Sequence, residues 1–373
     1  MASVFFVGGG TGGHVIPALA MAEALRDRMP SARIHFVGGR RGIEGGLVPS
    51  AGFSITRLPA FGLRGLGLGG MVRFGFGFLA AVPAVLQLVL TRRPGLVIAT
   101  GGYASAAPAL IASLLGIPLW LQEQNSAPGS TNRVLSRRAE RAYVAFSRAK
   151  ESLAAREIVD MPNPVRAGVQ AAAEPSDQDY AAFGLEPGRR TLLIFGGSRG
   201  AATLNRAIEG ACSRIVHETE WQVLAQTGNE DLESTRTIVA READDRPSRV
   251  RVLPFIDDMG AAWRIADLVV CRAGAMTLAE LATVGRCAVL VPYPYATDDH
   301  QRHNAQELVD RGAARLVEDG RMDADRLVDE LAWFDEDADR AARMAATVRQ
   351  WGGEGDAASR IASDILERLG SDA

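Results

Sequence analysis

The sequence contains few cysteines, and it lacks the paired spacing that disulfide frameworks and zinc sites need. Cys212, Cys271 and Cys287 are therefore interpreted as small core residues in a reducing compartment. Residues 1–4 lack the basic region of a secretory signal, so we expect a cytoplasmic protein. With 373 residues, of which 47% are hydrophobic, the chain is long enough for two domains.

The charge is small overall but unevenly distributed. Residues 1–165 carry 17 basic and 8 acidic side chains, although the whole chain has a net charge of −3. A basic half suggests an anionic partner, and both nucleic acid and an anionic membrane surface fit this description. An uneven surface that is merely solvated would give the same count.

Short apolar runs alternate with helical stretches through both halves of the chain. This alternation predicts two α/β domains with parallel sheets. The proline-rich segment 161–164 places their join near residue 165, and the polar segment 171–179 is expected to be a linker or surface loop. The predicted buried strands are residues 4–7, 33–37, 96–99, 117–121, 142–145, 192–195, 221–225, 250–253, 268–271, 288–291 and 314–317.

Two of these strands lead directly into glycine turns that precede helices. Residues 8–14 (GGGTGGH) follow the first strand, and residues 196–201 (GGSRGA) follow the strand 192–195. Such a turn lets the backbone approach a ligand closely, and it directs N–H groups and a positive helix end at an anion. Two such units predict two ligand-binding domains that face each other across a cleft.

The first turn fits the dinucleotide-binding pattern, but the end of the second predicted strand does not. A nicotinamide dehydrogenase usually places an acidic residue there to hold the ribose. Here the strand ends in residues 38–41 (GGRR), and no acidic residue occurs before Glu44. This pattern disfavours NAD, although the two arginines can in principle hold the additional phosphate of NADP.

His14 is the candidate general base. It follows the first turn at the carboxyl end of a strand, where ligands bind, and an imidazole accepts protons near neutral pH. His35 lies within a strand and is expected to be structural. Residues 101–105 (GGYAS) and 122–125 (QEQN) follow two further strands at the same edge. The second cluster suits a hydroxyl-rich ligand such as a sugar, with loop capping as the alternative.

In the second half, the turn with Ser198 is a candidate anion nest, and Arg166 is placed to reach a phosphate. Glu280 lies about one turn into the helix that follows residues 268–271, where a carboxylate can hold both hydroxyls of a ribose. His300 and His303 share a helix face, but no third ligand has a suitable spacing, so no metal site is expected.

Residues 71–90 form the most apolar stretch, with Phe74, Phe76 and Phe78 near its start. The stretch approaches the roughly 20 apolar residues of a transmembrane helix, but Arg73 and several glycines interrupt it. Because it lies between two predicted strands of one sheet, a half-buried helix with an exposed apolar face fits better. We therefore expect docking on an anionic membrane surface, with an ordinary core helix as the alternative.

The motifs occur in the order found in a known family. The chain resembles the MurG family of bacterial N-acetylglucosaminyltransferases, which make the last lipid-linked peptidoglycan precursor at the inner face of the membrane. The chain departs from the family pattern at Met276, where leucine is more usual, and at Arg199, where glutamine is expected. The matching segments, spread over nearly the whole chain, are residues 9–14, 101–103, 122–125, 163–166, 196–198, 272–277, 300–301 and 304.

The resemblance implies an α/β GT-B fold, with two Rossmann-like parallel-sheet domains facing a central cleft. Residues 1–165 would form the acceptor and membrane-side domain, and residues 166–344 would bind the UDP-sugar donor. The C-terminal helix, within about 345–373, would return to the first domain. The implied activity is inverting transfer of N-acetylglucosamine from UDP-N-acetylglucosamine to the 4-hydroxyl of undecaprenyl-pyrophosphoryl-N-acetylmuramyl pentapeptide. It implies a peripheral protein at the cytoplasmic face of the membrane, with no cofactor and no nucleic-acid partner.

The resemblance also assigns roles by position. His14 would be the general base, with Asn125 as a second catalytic residue that also contacts the donor. Thr11, Gly12 and Gly13 would meet the acceptor. The remaining donor contacts would be Arg166, Ser198, Ile256, Ala275, Met276, Thr277, Glu280 and Gln301. The alternatives are another GT-B enzyme, such as a UDP-sugar 2-epimerase, and an inactive membrane scaffold.

Overall fold

The computed structural model describes residues 3–59, 67–169, 174–197, 199–244, 246–353 and 356–370. Over residues 67–74, and at residues 167, 247 and 338, it describes the backbone alone. The chain divides into two compact units. Unit 1 comprises Met1–Arg166 and Glu354–Ala373, and unit 2 comprises Ala167–Gly353.

Unit 1 is an α/β unit whose strands pair in parallel. The strands are β1 (Ser3–Gly8), β2 (Arg33–Gly39), β3 (Ser54–Leu58), β4 (Leu96–Gly101), β5 (Leu119–Glu123), β6 (Arg141–Val144) and β7 (Glu157–Asp160). Within the described residues they form a seven-stranded sheet in the order β3-β2-β1-β4-β5-β6-β7. The helices are α1 (Gly12–Arg28), α2 (Glu44–Ser50), α3 (Gly67–Arg92), α4 (Ala106–Leu114), α5 (Ser130–Ser136) and, from the end of the chain, α14 (Ala357–Gly370).

Helices cover both faces of this sheet, which explains why its central strands are continuously apolar. In β1, Phe5 and Val7 pack into one core with α3 and α4. Val4 and Phe6 pack into a second core with α1 and α14. The predicted central strands are thus confirmed. The two strands that the sequence did not predict, β3 and β7, lie at the sheet edges and are partly exposed.

The last helix, α14, belongs to unit 1. Its apolar residues Ile361 and Ile365 are fully buried in the core that contains α1. The Tyr143 hydroxyl donates a hydrogen bond of 2.8 Å to Asp364 Oδ2, which ties the helix to β6. The chain therefore completes unit 1 only after it has built unit 2.

Unit 2 is a second parallel α/β unit. Its strands are β8 (Thr191–Phe195), β9 (Gln222–Gln226), β10 (Val250–Leu253), β11 (Leu268–Cys271), β12 (Cys287–Leu290) and β13 (Arg315–Leu316). Counted within the described residues, they form a six-stranded sheet in the order β10-β9-β8-β11-β12-β13. The helices are α6 (Asp177–Phe183), α7 (Ala202–Glu218), α8 (Leu232–Ala243), α9 (Met259–Ile265), α10 (Ala275–Val284), α11 (His300–Asp310), α12 (Ala324–Asp335) and α13 (Ala338–Trp351).

Helix α6 begins inside the segment 171–179, which the sequence analysis expected to be a loop. A reciprocal capping box starts the helix: Ser176 accepts from the backbone N–H of Asp179, and the Asp179 side chain accepts from the backbone N–H of Ser176. The expected loop is therefore corrected at its C-terminal end.

The strand order fixes where each unit can bind a ligand. The order reverses between β1 and β4 in unit 1, and between β8 and β11 in unit 2. At such a point, the loops that follow the two strands diverge and leave a crevice at the carboxyl edge. The two glycine turns follow β1 and β8, so each turn lies at the reversal point of its own sheet.

Helix α3 has one face in the core of unit 1 and one face in solvent. Ala81, Val85 and Leu88 are buried at i, i+4, i+7 spacing, as in an amphipathic helix. On the other side, Phe76 and Leu79 are 71% and 67% exposed. By length and composition the stretch Gly75–Arg92 could cross a membrane, but its buried face is part of this core.

The three phenylalanines predicted to contact a membrane differ in their exposure on this helix. Phe76 is exposed, as expected. Phe78 packs partly buried against the core of unit 1, and its membrane contact stays a prediction. Phe74 lies among the residues whose side chains are outside the described part of the structure.

His35 of β2 is a buried histidine with two hydroxyl partners on β3. Its Nδ1 contacts Ser54 Oγ at 2.7 Å, and its Nε2 contacts Thr56 Oγ1 at 2.8 Å. Burial lowers the pKa of His35 to about 4, and the nearby positive charge of Arg92 adds to this. The ring is therefore held neutral in the folded protein, as a structural histidine.

This buried histidine makes stability depend on pH. Below pH 6.5 the unfolded chain protonates His35 while the folded chain does not, so stability falls as the pH falls toward about 4. Between pH 7 and pH 5 the contribution lost is about 2 kcal/mol. His35→Gln, which cannot be protonated, should reduce the pH dependence of the urea-unfolding free energy by that amount. Equal pH dependence in both proteins would contradict this account.

Candidate active site

The first glycine turn connects β1 to α1, and a buried carboxylate accepts a hydrogen bond from its backbone. Glu44 is buried, and its Oε2 accepts a hydrogen bond of 2.9 Å from the backbone N–H of Gly10. Its Oε1 accepts one of 2.7 Å from the backbone N–H of Gly39, at the end of β2. Glu44 lies too far beyond the second predicted strand to match the ribose-binding acid of a dehydrogenase. In the structure its carboxylate faces the first glycine turn.

His14 lies in the first turn of α1, above a second pair of glycines. Its Nδ1 is 3.1 Å from the Thr11 hydroxyl. The imidazole lies across Gly101, which ends β4, and Gly102, which follows it. Their φ values are +99° and +76°. A Cβ added to Gly101 would stand 3.1 Å from His14 Cδ2, and the ring could not keep this position without displacement. The backbone of Gly101 and Gly102 is therefore the surface on which the His14 ring packs.

Asn132 of α5 lies close to the same glycine, Gly101. Its Nδ2 is 3.2 Å from the point where a Gly101 Cβ would stand, and His14 Nε2 is 3.3 Å from that point. The amide also donates a hydrogen bond of 2.9 Å to Glu123 Oε2. Asn132 therefore joins α5 to the end of β5 beside the Gly101 backbone.

Glu123 organises the loop that carries Asn125. Its buried carboxyl accepts from the backbone N–H of Asn125 at 3.0 Å and from the backbone N–H of Gly129 at 3.3 Å. Burial raises the pKa of Glu123 above its ordinary value, while these N–H groups and Asn132 oppose the shift. The side chain holds both ends of the loop that follows β5.

The polar run at residues 122–125 does not face a ligand as a whole, which corrects the sequence analysis. Gln122, Glu123 and Gln124 are buried. Gln122 Nε2 donates to Asn163 Oδ1 at 2.7 Å, and Gln124 Nε2 donates to the carbonyl oxygen of Thr100 at 2.8 Å. Of the run, Asn125 alone is half-buried rather than buried. The loop-capping alternative therefore applies to three of the four residues.

In unit 2, Gln226 joins the second glycine turn to the segment after β10. This buried side chain ends β9, donates a hydrogen bond of 2.8 Å to the Gly197 carbonyl and accepts one of 2.8 Å from the Ile256 N–H. Ile256 itself is buried. Ser198, the predicted anion contact, lies outside the described residues.

The start of α10 forms the next part of this edge. Ala275 and Met276 are buried, whereas Thr277 and Glu280 are half-buried. The Trp263 indole N–H lies 3.4 Å from Glu280 Oε2. The first N–H groups of a helix have no acceptor within it, so this end can hold an anion or a hydroxyl.

The segment after β12 completes the edge. Gln301, in the first turn of α11, accepts a hydrogen bond of 2.9 Å from the Tyr293 N–H. Arg272, after β11, pairs with Asp319 at 2.6 Å and donates to the carbonyls of Val291 and Pro292. The predicted donor residues of unit 2 that the structure describes thus follow β10, β11 and β12 at one edge.

Two further points concern charge at the sites. Arg166 ends unit 1, and its buried Nε has no hydrogen-bond partner among the described residues. In the part of the chain that the structure describes, no group of three or more His, Cys, Asp or Glu side chains is arranged to hold a metal ion.

Sequence reasoning missed several residues that shape these edges. Glu44, Asn132 and Gln226 were not assigned to the site, and Glu123 was expected to face a ligand rather than to hold a loop. Two signals could have indicated them: a polar residue that ends a continuously apolar strand, as at Glu123 and Gln226, and an acidic residue surrounded by glycines, as at Glu44.

Two parallel-sheet units, each with a glycine turn and a helix start at its reversal point, define the GT-B class of sugar-nucleotide enzymes. Residues 4–144 match the N-terminal domain of glycosyltransferase family 28, and residues 191–364 match the C-terminal domain of that family. The chain belongs to glycosyltransferase family 28 and, within it, to the MurG family of N-acetylglucosamine transferases.

Comparisons over the full length support this assignment. The chain is 38% identical over 368 residues to the UDP-N-acetylglucosamine–N-acetylmuramyl-(pentapeptide) pyrophosphoryl-undecaprenol N-acetylglucosamine transferase of Chlorobaculum tepidum, covering 97% of this chain and 98% of that protein. The crystal structure of Acinetobacter baumannii MurG superposes with a TM-score of 0.78 and 31% identity, covering 98% of this chain and 100% of that one. A putative UDP-N-acetylglucosamine 2-epimerase of Listeria monocytogenes has a TM-score of 0.67 at 13% identity, over 99% and 97% of the chains, and shares the fold alone.

The Glu123 carboxyl provides a test of how this edge is held. In Glu123→Gln an amide nitrogen must face backbone N–H groups, so we expect a loss of about 1–3 kcal/mol in the free energy of unfolding. Amide hydrogen exchange at Asn125 and Gly129 should become faster. The exposed Glu151→Gln is the control with the same chemical change and should alter neither quantity. Unchanged exchange at both amides in Glu123→Gln would show that the carboxyl does not hold the loop.

Proposed function

We propose that the protein is an inverting glycosyltransferase that moves N-acetylglucosamine from UDP-N-acetylglucosamine to the 4-hydroxyl of undecaprenyl-pyrophosphoryl-N-acetylmuramyl pentapeptide. This reaction converts lipid I into lipid II in peptidoglycan synthesis. The observation that carries the proposal is the 38% identity, over nearly the whole of both chains, to a protein named for this activity.

In this proposal unit 2 binds the donor. The helix end after the second glycine turn holds the diphosphate, with Ser198 as a further predicted contact. The first turn of α10, residues 275–277, contacts the donor sugar or its phosphates. Glu280 accepts from the ribose hydroxyls, Gln301 contacts the sugar, and Ile256 lies beside the uracil.

Unit 1 binds the acceptor. The N–H groups of Gly12 and Gly13 begin α1 and are directed at the anionic acceptor, with the Thr11 hydroxyl beside them. Asn125, held through its backbone by Glu123, contacts the donor sugar. Arg166 contributes a guanidinium to the phosphates, which its unpartnered Nε supports.

The chemistry is a single displacement. The acceptor 4-hydroxyl oxygen forms a bond to the anomeric carbon as the bond to the UDP oxygen breaks, and the configuration inverts from α to β. Its proton passes to His14, either directly or by way of the Thr11 hydroxyl at Nδ1. The transition state is oxocarbenium-like, and helix N-termini and Arg166 stabilise the charge on departing UDP.

Replacement of the candidate base tests this mechanism. His14→Ala should lower acceptor-dependent UDP release by about 10²–10⁴-fold, because general-base catalysis contributes that much. Binding of UDP-N-acetylglucosamine, measured by calorimetry, should stay unchanged. His217→Ala, at an exposed histidine of α7, is the matched control and should keep full turnover. Full turnover in His14→Ala would refute the assignment, and formation of an epimer without acceptor would favour an epimerase.

We also infer that α3 docks unit 1 on the anionic cytoplasmic surface of the membrane, where the lipid-linked acceptor lies. Phe76 and Leu79 are exposed apolar side chains on this helix, and Arg92 and Arg93 are exposed at its end. An apolar face with basic residues beside it is suited to an anionic interface. Phe74 remains a predicted contact.

The docking face can be tested without the reaction. Phe76→Ser combined with Leu79→Ser should shift the protein from the pellet to the supernatant when it is sedimented with phosphatidylglycerol vesicles. Val134→Ser, at a 61% exposed residue of α5, is the control for removing an apolar side chain elsewhere on unit 1. Equal sedimentation of the wild-type chain, the double variant and the control variant would exclude α3 as the membrane contact.

A further inference from the structure

The first glycine turn already contains an anion, which belongs to the protein. Glu44 opens α2, but its carboxylate is buried and accepts from the N–H groups of Gly10 and Gly39 at 2.9 and 2.7 Å. The Gly10 N–H belongs to the turn, and such a group is one that a phosphate would take in a glycine-rich nucleotide site.

The surrounding glycines show that the space is shaped for this side chain. A Cβ added to Gly9 would lie 2.1 Å from Glu44 Oε1, and one added to Gly42 would lie 1.9 Å from Oε2. A Cβ on Gly38 would lie 2.6 Å from Glu44 Cγ. Three positions, one in the first turn, one near the end of β2 and one in the loop after β2, are therefore small because the carboxyl fills the space between them.

This arrangement has a direct consequence for ligands. In dinucleotide-binding domains the acid after the second strand binds a ribose, and the turn N–H groups bind the pyrophosphate. Here the acid instead accepts from the Gly10 N–H, inside the turn. A second anion at Gly10 would meet both an occupied donor and a like charge at close range.

We propose that Glu44 is the resident anion of the first glycine turn. It occupies the Gly10 and Gly39 N–H groups, so neither can bind a phosphate, and the N–H groups of Gly12 and Gly13 at the start of α1 are left for the anionic acceptor. It also positions the backbone that leads to Thr11 and His14, so it is a positioning residue that touches neither substrate. The kinetic part of this inference rests on the proposed function, whereas the binding part does not.

Glu44→Ala should create an empty anion site that a small carboxylate can fill. We expect sodium formate to raise the Tm of Glu44→Ala relative to sodium chloride at equal ionic strength. The wild-type chain and Glu44→Gln, whose sites are filled, should show no such difference. Gly46→Ala, on the same helix at a position with open space around its Cβ, should behave like the wild-type chain. A formate effect that is absent in Glu44→Ala, or equal in all four proteins, would overturn the proposal.

The positioning role has a kinetic readout. Turnover of Glu44→Ala should fall by about 100-fold, as expected when a catalytic group is misplaced by about 1 Å, and formate should restore part of it. Formate should restore nothing in Glu44→Ala combined with His14→Ala, because the effect acts through His14. If formate raises the Tm of Glu44→Ala but does not restore turnover, Glu44 is the resident anion of the turn but does not position His14.

A second variant covers the case in which Glu44→Ala does not fold. Glu44→Gln keeps the volume of the side chain but presents an amide to two N–H groups, so it should fold with a lower Tm and reduced turnover. If Glu44→Gln has the Tm and turnover of the wild-type chain, no anion is required in the turn and the proposal is wrong.

Discussion

Both candidate sites depend on one constraint: a backbone N–H buried in a loop must find an acceptor. Glu44 supplies it for Gly10, Glu123 supplies it for Asn125, and Gln226 supplies it for Ile256. Each acceptor is a buried side chain: Glu123 and Gln226 end their strands, and Glu44 begins the helix that follows β2. The loops that carry the proposed chemistry are therefore fixed from beneath by polar groups that take no part in it.

The residues that fix the loops are therefore different from the residues proposed to contact the substrates. His14 and Gln301 are half-buried at the carboxyl edges, whereas Glu44 and Gln226 lie in the interior behind them. Rigid support of this kind suits catalysis, because a group held in place by the fold needs little reorganisation during the reaction.

The fold could be predicted from the sequence where strands are covered on both faces. Such strands are continuous apolar runs, as in β1 and β8, and the runs were placed correctly. The edge strands β3 and β7 were missed because they are partly exposed and include polar residues. The start of α6 was missed although Ser176 and Asp179 have capping-box spacing, which is a local signal.

The location of the sites was predictable, since a strand, a glycine turn and a helix are consecutive in sequence. The direction of individual polar side chains was not, because it depends on distant partners. Gln122 turns inward to reach Asn163, and Gln124 turns inward to reach the Thr100 carbonyl. Similarly, an apolar helix contains Phe78 and Leu79 side by side, and only the packed sheet decides which one faces solvent.

The docking of α14 on α1 has a consequence for how the polypeptide is made. Unit 2 is one continuous stretch, Ala167–Gly353, whereas unit 1 needs Ile361 and Ile365 to fill its core. During translation, unit 2 can assemble while unit 1 still exposes the apolar groove that α14 will cover. The nascent chain thus carries an open hydrophobic surface, next to the helix that bears His14, until the last helix has left the ribosome.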